Sequence, residues 1–129
     1  MSARAPEGGS PRGLMVLIVE DEFLIAMDLE AMLRGHGWRV LGPAATVAEA
    51  LRLLDGGETP DVALLDVNLR GKTVAPVAEV LRERSVPIVL ASAYDQAAPI
   101  AEVLAELPNV GKPIHERYLL GALERAVKK

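Results

Sequence analysis

With 129 residues, half of them hydrophobic and a quarter charged, the chain has the composition of one compact globular domain and leaves no room for a second catalytic one. Its 14 basic residues are scattered among 18 acidic ones, a net charge of -4, so no face gathers positive potential for a phosphate backbone or an anionic membrane. The absence of cysteine removes disulfides, thiolate metal sites and cysteine nucleophiles, while His36 and His115 are too few for a histidine metal cage and one Trp, two Tyr and one Phe too few for stacking platforms.

Residues 1–13 hold almost no large apolar side chain and are rich in Gly, Pro and Ser, so they read as a flexible tail ahead of a domain over residues 14–129. From Leu14, apolar runs of about 4–6 residues alternate with helical patterns, which predicts repeated strand–helix units on a parallel sheet. The run Leu14–Val19 stops at Glu20-Asp21-Glu22, far short of the roughly 20 residues that span a bilayer, and it lacks a signal-peptide cleavage pattern. A cytoplasmic protein is expected. The first strand is Met15 to Val19, and the first helix runs from about Glu22 to Arg34 with Ile25, Leu29, Met32 and Leu33 on one face. Gly35 and Gly37 bracket its stop, and His36 between them is expected to meet the last carbonyls of that helix. A short strand, Trp38 to Leu41, precedes the capping box Thr46-Val47-Ala48-Glu49, which opens a helix burying Val47, Ala50, Leu51 and Leu54. The third strand is Val62 to Leu65. Helix three is expected over Thr73–Arg84, strand four over Pro87–Ala91, helix four over Gln96–Glu106, strand five near Asn109–Gly111 and helix five over Ile114–Val127.

In a parallel α/β sheet the groups that do chemistry collect beyond the carboxyl ends of the strands. Here strand one ends in Glu20-Asp21, strand three in Asp66, strand four in Ser92 and strand five in Lys112. Three carboxylates brought together repel one another, and they either raise a pKa or bind a cation. An all-oxygen donor set of this kind suits Mg2+ retaining some of its waters. Asp66, alone on its strand, can attack phosphorus as a nucleophile, with Glu20 and Asp21 holding the metal and Lys112 and Ser92 meeting the phosphoryl oxygens.

Those residues, in that order and each at a strand end, resemble the response regulator receiver domain of bacterial two-component signalling over Leu14 to Val127. The resemblance implies a flavodoxin-like (βα)5 doubly wound parallel sheet of strand order 2-1-3-4-5. It implies Asp66 as phosphoacceptor, Glu20, Asp21, Asp66 and the backbone carbonyl of Asn68 as Mg2+ ligands, and Ser92 and Lys112 as switch and phosphoryl contacts. Pro113, in the matched Lys112-Pro113 pair, is the candidate for a cis peptide bond.

The chain departs from the family pattern in three places. The loop after the phosphoacceptor reads Asp66-Val67-Asn68-Leu69-Arg70-Gly71 in place of the frequent Met-Pro, so its shape should differ. Serine stands at position 92 where threonine is commoner, and Asn109 stands where an aromatic residue usually changes rotamer on activation. Tyr94 is the aromatic left near the site, either part of the switch or a partner contact. The Asp-Val-Asn-Leu-Arg-Gly and Ala-Ser-Ala-Tyr stretches are similar to stand-alone receivers that lack the aromatic and work in general stress signalling.

The expected function is therefore that of a stand-alone receiver, a signalling phosphoacceptor and not an enzyme with a separate substrate. A histidine kinase or phosphotransfer protein would load Asp66, and the face of helix four, strand five and helix five would then bind a downstream protein target. Neither nucleic acid nor membrane is an expected partner, and a monomer or weak homodimer is expected. Two other functions compete with this reading. A phosphohydrolase of the haloacid dehalogenase pattern would need a second Asp two residues past the nucleophile, where this chain has Asn68. A binding module that works without phosphorylation fits the missing aromatic but makes no use of an intact acidic site. Taken singly, Glu20-Asp21-Glu22 could merely favour a helix N-terminus, and Lys112 could be a surface lysine; their joint placement argues for the site.

Overall fold

The computed structural model describes residues 13–69, 71–92 and 102–128. The tail expected over residues 1–13, except Gly13, lies outside the described residues, as do Tyr94 and most of the predicted fourth helix. In chain order the elements are β1 (Met15–Val19), α1 (Phe23–Gly35), β2 (Arg39–Ala44), α2 (Val47–Asp55), β3 (Val62–Leu65), β4 (Asn68–Leu69), β5 (Lys72–Thr73), α3 (Ala75–Glu83), β6 (Ile88–Leu90), a 3-10 turn (Glu102–Leu104) and α4 (Glu116–Lys128).

The main sheet has the order β2-β1-β3-β6, every pair parallel, and Asn109 forms a single parallel bridge with Leu90 on the outer side of β6. The strand order 2-1-3-4-5 is thus kept, with the fifth place taken by that bridge alone. Alternation along the strands divides the core in two. Leu17 and Val19 of β1, with Leu65 and Leu90, face Leu54 of α2 and Leu81 of α3. Val16 and Ile18, with Leu64 and Val89, face Leu29 and Leu33 of α1 and Leu119 and Leu123 of α4. Both faces of β1 and β3 are therefore buried, which is why those segments read as unbroken apolar runs.

Several boundaries differ from expectation. The second strand continues to Ala44 through the cis Gly42–Pro43 peptide. A Gly-Pro pair signals a break, but β2 lies at the sheet edge, where a missing proline N–H removes no essential ladder bond. Only glycine fits position 42, since its φ is +99° and a Cβ there would stand 2.8 Å from the Ala44 nitrogen. Thr46 caps α2 as expected, its Oγ1 accepting the Glu49 N–H at 3.0 Å, while Glu49 reaches back to the Ala45 N–H at 2.8 Å. Thr73 belongs to a small antiparallel hairpin, β4 with β5, so α3 begins at Ala75. His36 caps α1 through its backbone N–H, but its ring turns edge-on to Trp38, centroids 4.8 Å apart, with Nε2 3.7 Å from Glu124.

Candidate functional site

The site forms where β1, β3 and β6 end. Glu20 and Asp21 follow the last residue of β1, Asp66 follows β3, and Ser92 comes two residues after β6. Backbone bonds hold these ends in register: the Glu20 N–H donates to the Ala44 carbonyl and the Asp66 N–H to the Val19 carbonyl, both at 2.9 Å. Glu20, Asp21 and Asp66 each bring a carboxylate oxygen into one cluster whose members all lie within 4.8 Å of one another. Glu20 is only 3% exposed and Asp66 8% exposed, so this is a sunken acidic site and not a solvated rim.

Lys112 lies across the cluster. Its Nζ is 3.0 Å from Glu20 Oε1, 3.1 Å from Asp66 Oδ2 and 3.8 Å from Glu22 Oε1. The Ser92 hydroxyl donates to Asp66 Oδ1 at 2.8 Å and accepts the Val67 N–H at 2.7 Å. Both oxygens of Asp66 thus meet a donor. Glu20 Oε2 accepts the Glu22 N–H at 3.0 Å; its Oε1 is fully buried, receives no well-directed hydrogen bond and is balanced by the Lys112 charge.

Burial pushes the Glu20 carboxyl above the usual carboxylate range, and the nearby Asp66 charge adds to that, against the opposing pull of the Glu22 N–H and Lys112. Burial alone would lower the Lys112 ammonium, but the Glu20 and Asp66 carboxylates at 3.0 and 3.1 Å more than offset it and raise it overall. Excess negative charge concentrated on hard oxygen donors, with a buried carboxylate oxygen lacking a directed donor, is the environment a small divalent cation fits.

Among the other expected residues, Asn68 is the first residue of β4 and pairs with Thr73, and the Lys112–Pro113 peptide is cis. Tyr94 lies outside the described residues. Sequence reasoning marked Asn109 only for the aromatic it replaces. Here its Oδ1 accepts the N–H of Gly111 at 2.8 Å and that of Ser92 at 3.2 Å. A short carboxamide that bonds nearby backbone is the signal for such a role. Glu22 was likewise not singled out as a third acid facing Lys112.

The family model for the response regulator receiver domain matches residues 16–124, which include every group in this cluster. The chain belongs to the response regulator receiver family. Among curated relatives the receiver is 37% identical over 114 residues to the phyllosphere-induced regulator PhyR of Methylorubrum extorquens, covering 87% of this chain and 43% of that one. It is 34% identical over 117 residues to the transcriptional regulatory protein PdtaR of Mycobacterium tuberculosis, covering 88% and 57%. The receiver therefore spans about half the length of the curated relatives it matches. A solved neighbour is the receiver domain of the PhyR response regulator from Erythrobacter litoralis, with a TM-score of 0.74, 28% identity and coverage of 91% of this chain and 92% of that one. No helix among the described residues is long and apolar enough to cross a membrane.

Proposed function

We propose that the receiver takes a phosphoryl group onto Asp66 from a phosphohistidine of a kinase or phosphotransfer protein, in a Mg2+-dependent reaction, and signals by binding a downstream protein. The observation that carries this reading is the pair of donors on one sunken carboxylate, the Ser92 hydroxyl on Oδ1 and the Lys112 ammonium on Oδ2, beside Glu20 and Asp21. In the transfer an Asp66 oxygen forms a bond to phosphorus as the P–N bond breaks, and the imidazole leaves with the electron pair, keeping the proton its other ring nitrogen already carries. Glu20, Asp21, Asp66 and the Asn68 carbonyl would hold Mg2+, which would supply charge neutralisation between the two anions. Lys112 orients the attacked phosphoryl group by its fixed charge, and Ser92 donates to a phosphoryl oxygen.

The product carries about -1.5 to -2 of charge on the phosphoryl group, enough to redraw the bonds of Lys112 and Ser92. Those changes feed toward the face expected to bind the target, that of helix four, strand five and helix five, of which the Asn109 bridge and α4 lie among the described residues. Phe23, Leu24 and Met27 at the start of α1, which follows directly on Glu20-Asp21-Glu22, are exposed apolar residues that would give a phosphodonor protein an apolar seat. The Asp-Val-Asn-Leu-Arg-Gly loop supports a place in general stress signalling.

The test is intact mass after incubation with acetyl phosphate and Mg2+. One added phosphoryl is expected in the wild type and none in Asp66→Asn or in the presence of EDTA. A folded, metal-binding wild type that never gains mass, even with candidate kinases, would instead support a phosphorylation-independent binding module. Asn109 in the aromatic position is the observation that favours this second reading.

A further inference from the structure

Asn109 occupies the fifth strand position, and its side chain explains why that strand is a single bridge. The Leu90 N–H donates to the Pro108 carbonyl at 2.7 Å, and the Val110 N–H to the Leu90 carbonyl at 2.8 Å. A parallel ladder continued by one step would next offer a backbone carbonyl to the Ser92 N–H. The Asn109 carboxamide takes that N–H instead, together with the N–H of Gly111, which leaves the ladder at φ +75°. Since both neighbours are donors, the oxygen of the carboxamide is the atom that must face them.

Ser92 is consequently held at three points. Asn109 holds its N–H, Val67 donates to its hydroxyl, and the hydroxyl donates to Asp66. A serine side chain has one heavy-atom rotor, so its backbone position and one staggered χ1 decide where Oγ lies. Release of the backbone N–H would let Oγ drift from Asp66. We propose that Asn109 is a positioning residue for the phosphoryl chemistry at Asp66, its carboxamide holding the Ser92 backbone so that the hydroxyl stands ready before the phosphoryl group arrives. This rests on reading Asp66 as the phosphoacceptor. The arrangement puts a polar clamp where a rotating aromatic usually stands: on phosphorylation the Ser92 hydroxyl turns from the carboxylate to a phosphoryl oxygen while its backbone stays held.

The experiment measures the rate of phosphorylation by acetyl phosphate with Mg2+, by quenched intact mass, in wild type, Asn109→Ala, Asn109→Asp, Ser92→Ala and the Asn109→Ala/Ser92→Ala double variant. In this reaction an Asp66 oxygen bonds to phosphorus, the P–O bond to the acetyl group breaks, and acetate leaves with the electron pair. Asn109→Ala is expected to slow the reaction roughly fivefold, the worth of one net hydrogen bond. Asn109→Asp keeps the acceptor and should stay close to wild type. The double variant should be no slower than Ser92→Ala alone, because without a hydroxyl there is nothing to position. Equal slowing by Asn109→Ala in both serine backgrounds, or an Asn109→Asp variant as slow as Asn109→Ala, overturns the inference and leaves the phosphoacceptor reading standing. Should Asn109→Ala fail to fold, Asn109→Asp slowed well below wild type would by itself overturn the inference, and a near-wild-type rate would support it. A folded wild type that takes up no phosphoryl overturns the phosphoacceptor reading and this inference with it.

Discussion

Glu20, buried against Lys112 and Asp66, dominates the electrostatics of the site and makes a separable prediction. The Glu20 carboxyl is raised by burial, so the folded protein binds that proton more tightly than the unfolded chain does. Its contribution to stability is therefore complete below the unfolded value of 4.5 and is lost as pH rises through the higher folded value. In metal-free solution Glu20→Gln should accordingly melt at a higher temperature than wild type at pH 7 to 8, with the gain shrinking as pH falls toward 4.5. A gain independent of pH would reject this account. The proposed Mg2+ would act on the same charge excess from the other direction: at about 100 times its dissociation constant it should stabilise the wild type by roughly 2.7 kcal/mol. Thermal melts with and without EDTA should show that increment much reduced in Asp21→Asn, since Asp21 is one of the three clustered carboxylates.

At the scale of elements, the strand ends matter more than the strand interiors. The Ala44 carbonyl at the end of β2 accepts the Glu20 N–H, so the backbone path at Gly42, two residues before Ala44, reaches the acidic cluster through one bond. Gly42→Ala puts a Cβ against backbone atoms at a positive φ and should cost about 1–3 kcal/mol in a denaturant titration, with weaker Mg2+ binding alongside. Thr46→Ala, which removes only the α2 cap, should cost about 1 kcal/mol and leave Mg2+ binding unchanged. Comparing the two variants separates damage that travels to the site from damage that stays local. Both the capping box and the apolar runs of β1 and β3 were legible in the sequence, because each signal is local. The β4–β5 hairpin was not, since two-residue strands carry no periodicity and Thr73 reads equally well as a helix start.

For the whole molecule, stability comes from a sheet covered on both faces. Leu64 on one face and Leu65 on the other are neighbours in sequence yet belong to different cores, each of them about fully buried. Truncation of either to alanine should cost about 2–5 kcal/mol, a large share of the roughly 5–15 kcal/mol a domain has. Equilibrium unfolding would check this, and losses well below that range in both variants would mean the two cores are looser than their burial indicates.

The placement of acids at strand ends was readable in the sequence, because a parallel sheet puts the carboxyl end of every strand on one edge whatever the details of its loops; the strand order followed only from the family resemblance, and the direct pairing of Lys112 with Asp66 was not foreseen. Tertiary structure alone decided how these groups meet. Whether Ser92 faces Asp66 or solvent depends on a backbone direction set by Asn109 from another segment. The fifth strand ends after one bridge because a side chain supplies the acceptor that a backbone carbonyl would have offered. Periodicity reports which face of an element is apolar; it carries no information about which polar group, from residues distant in sequence, completes the last hydrogen bond.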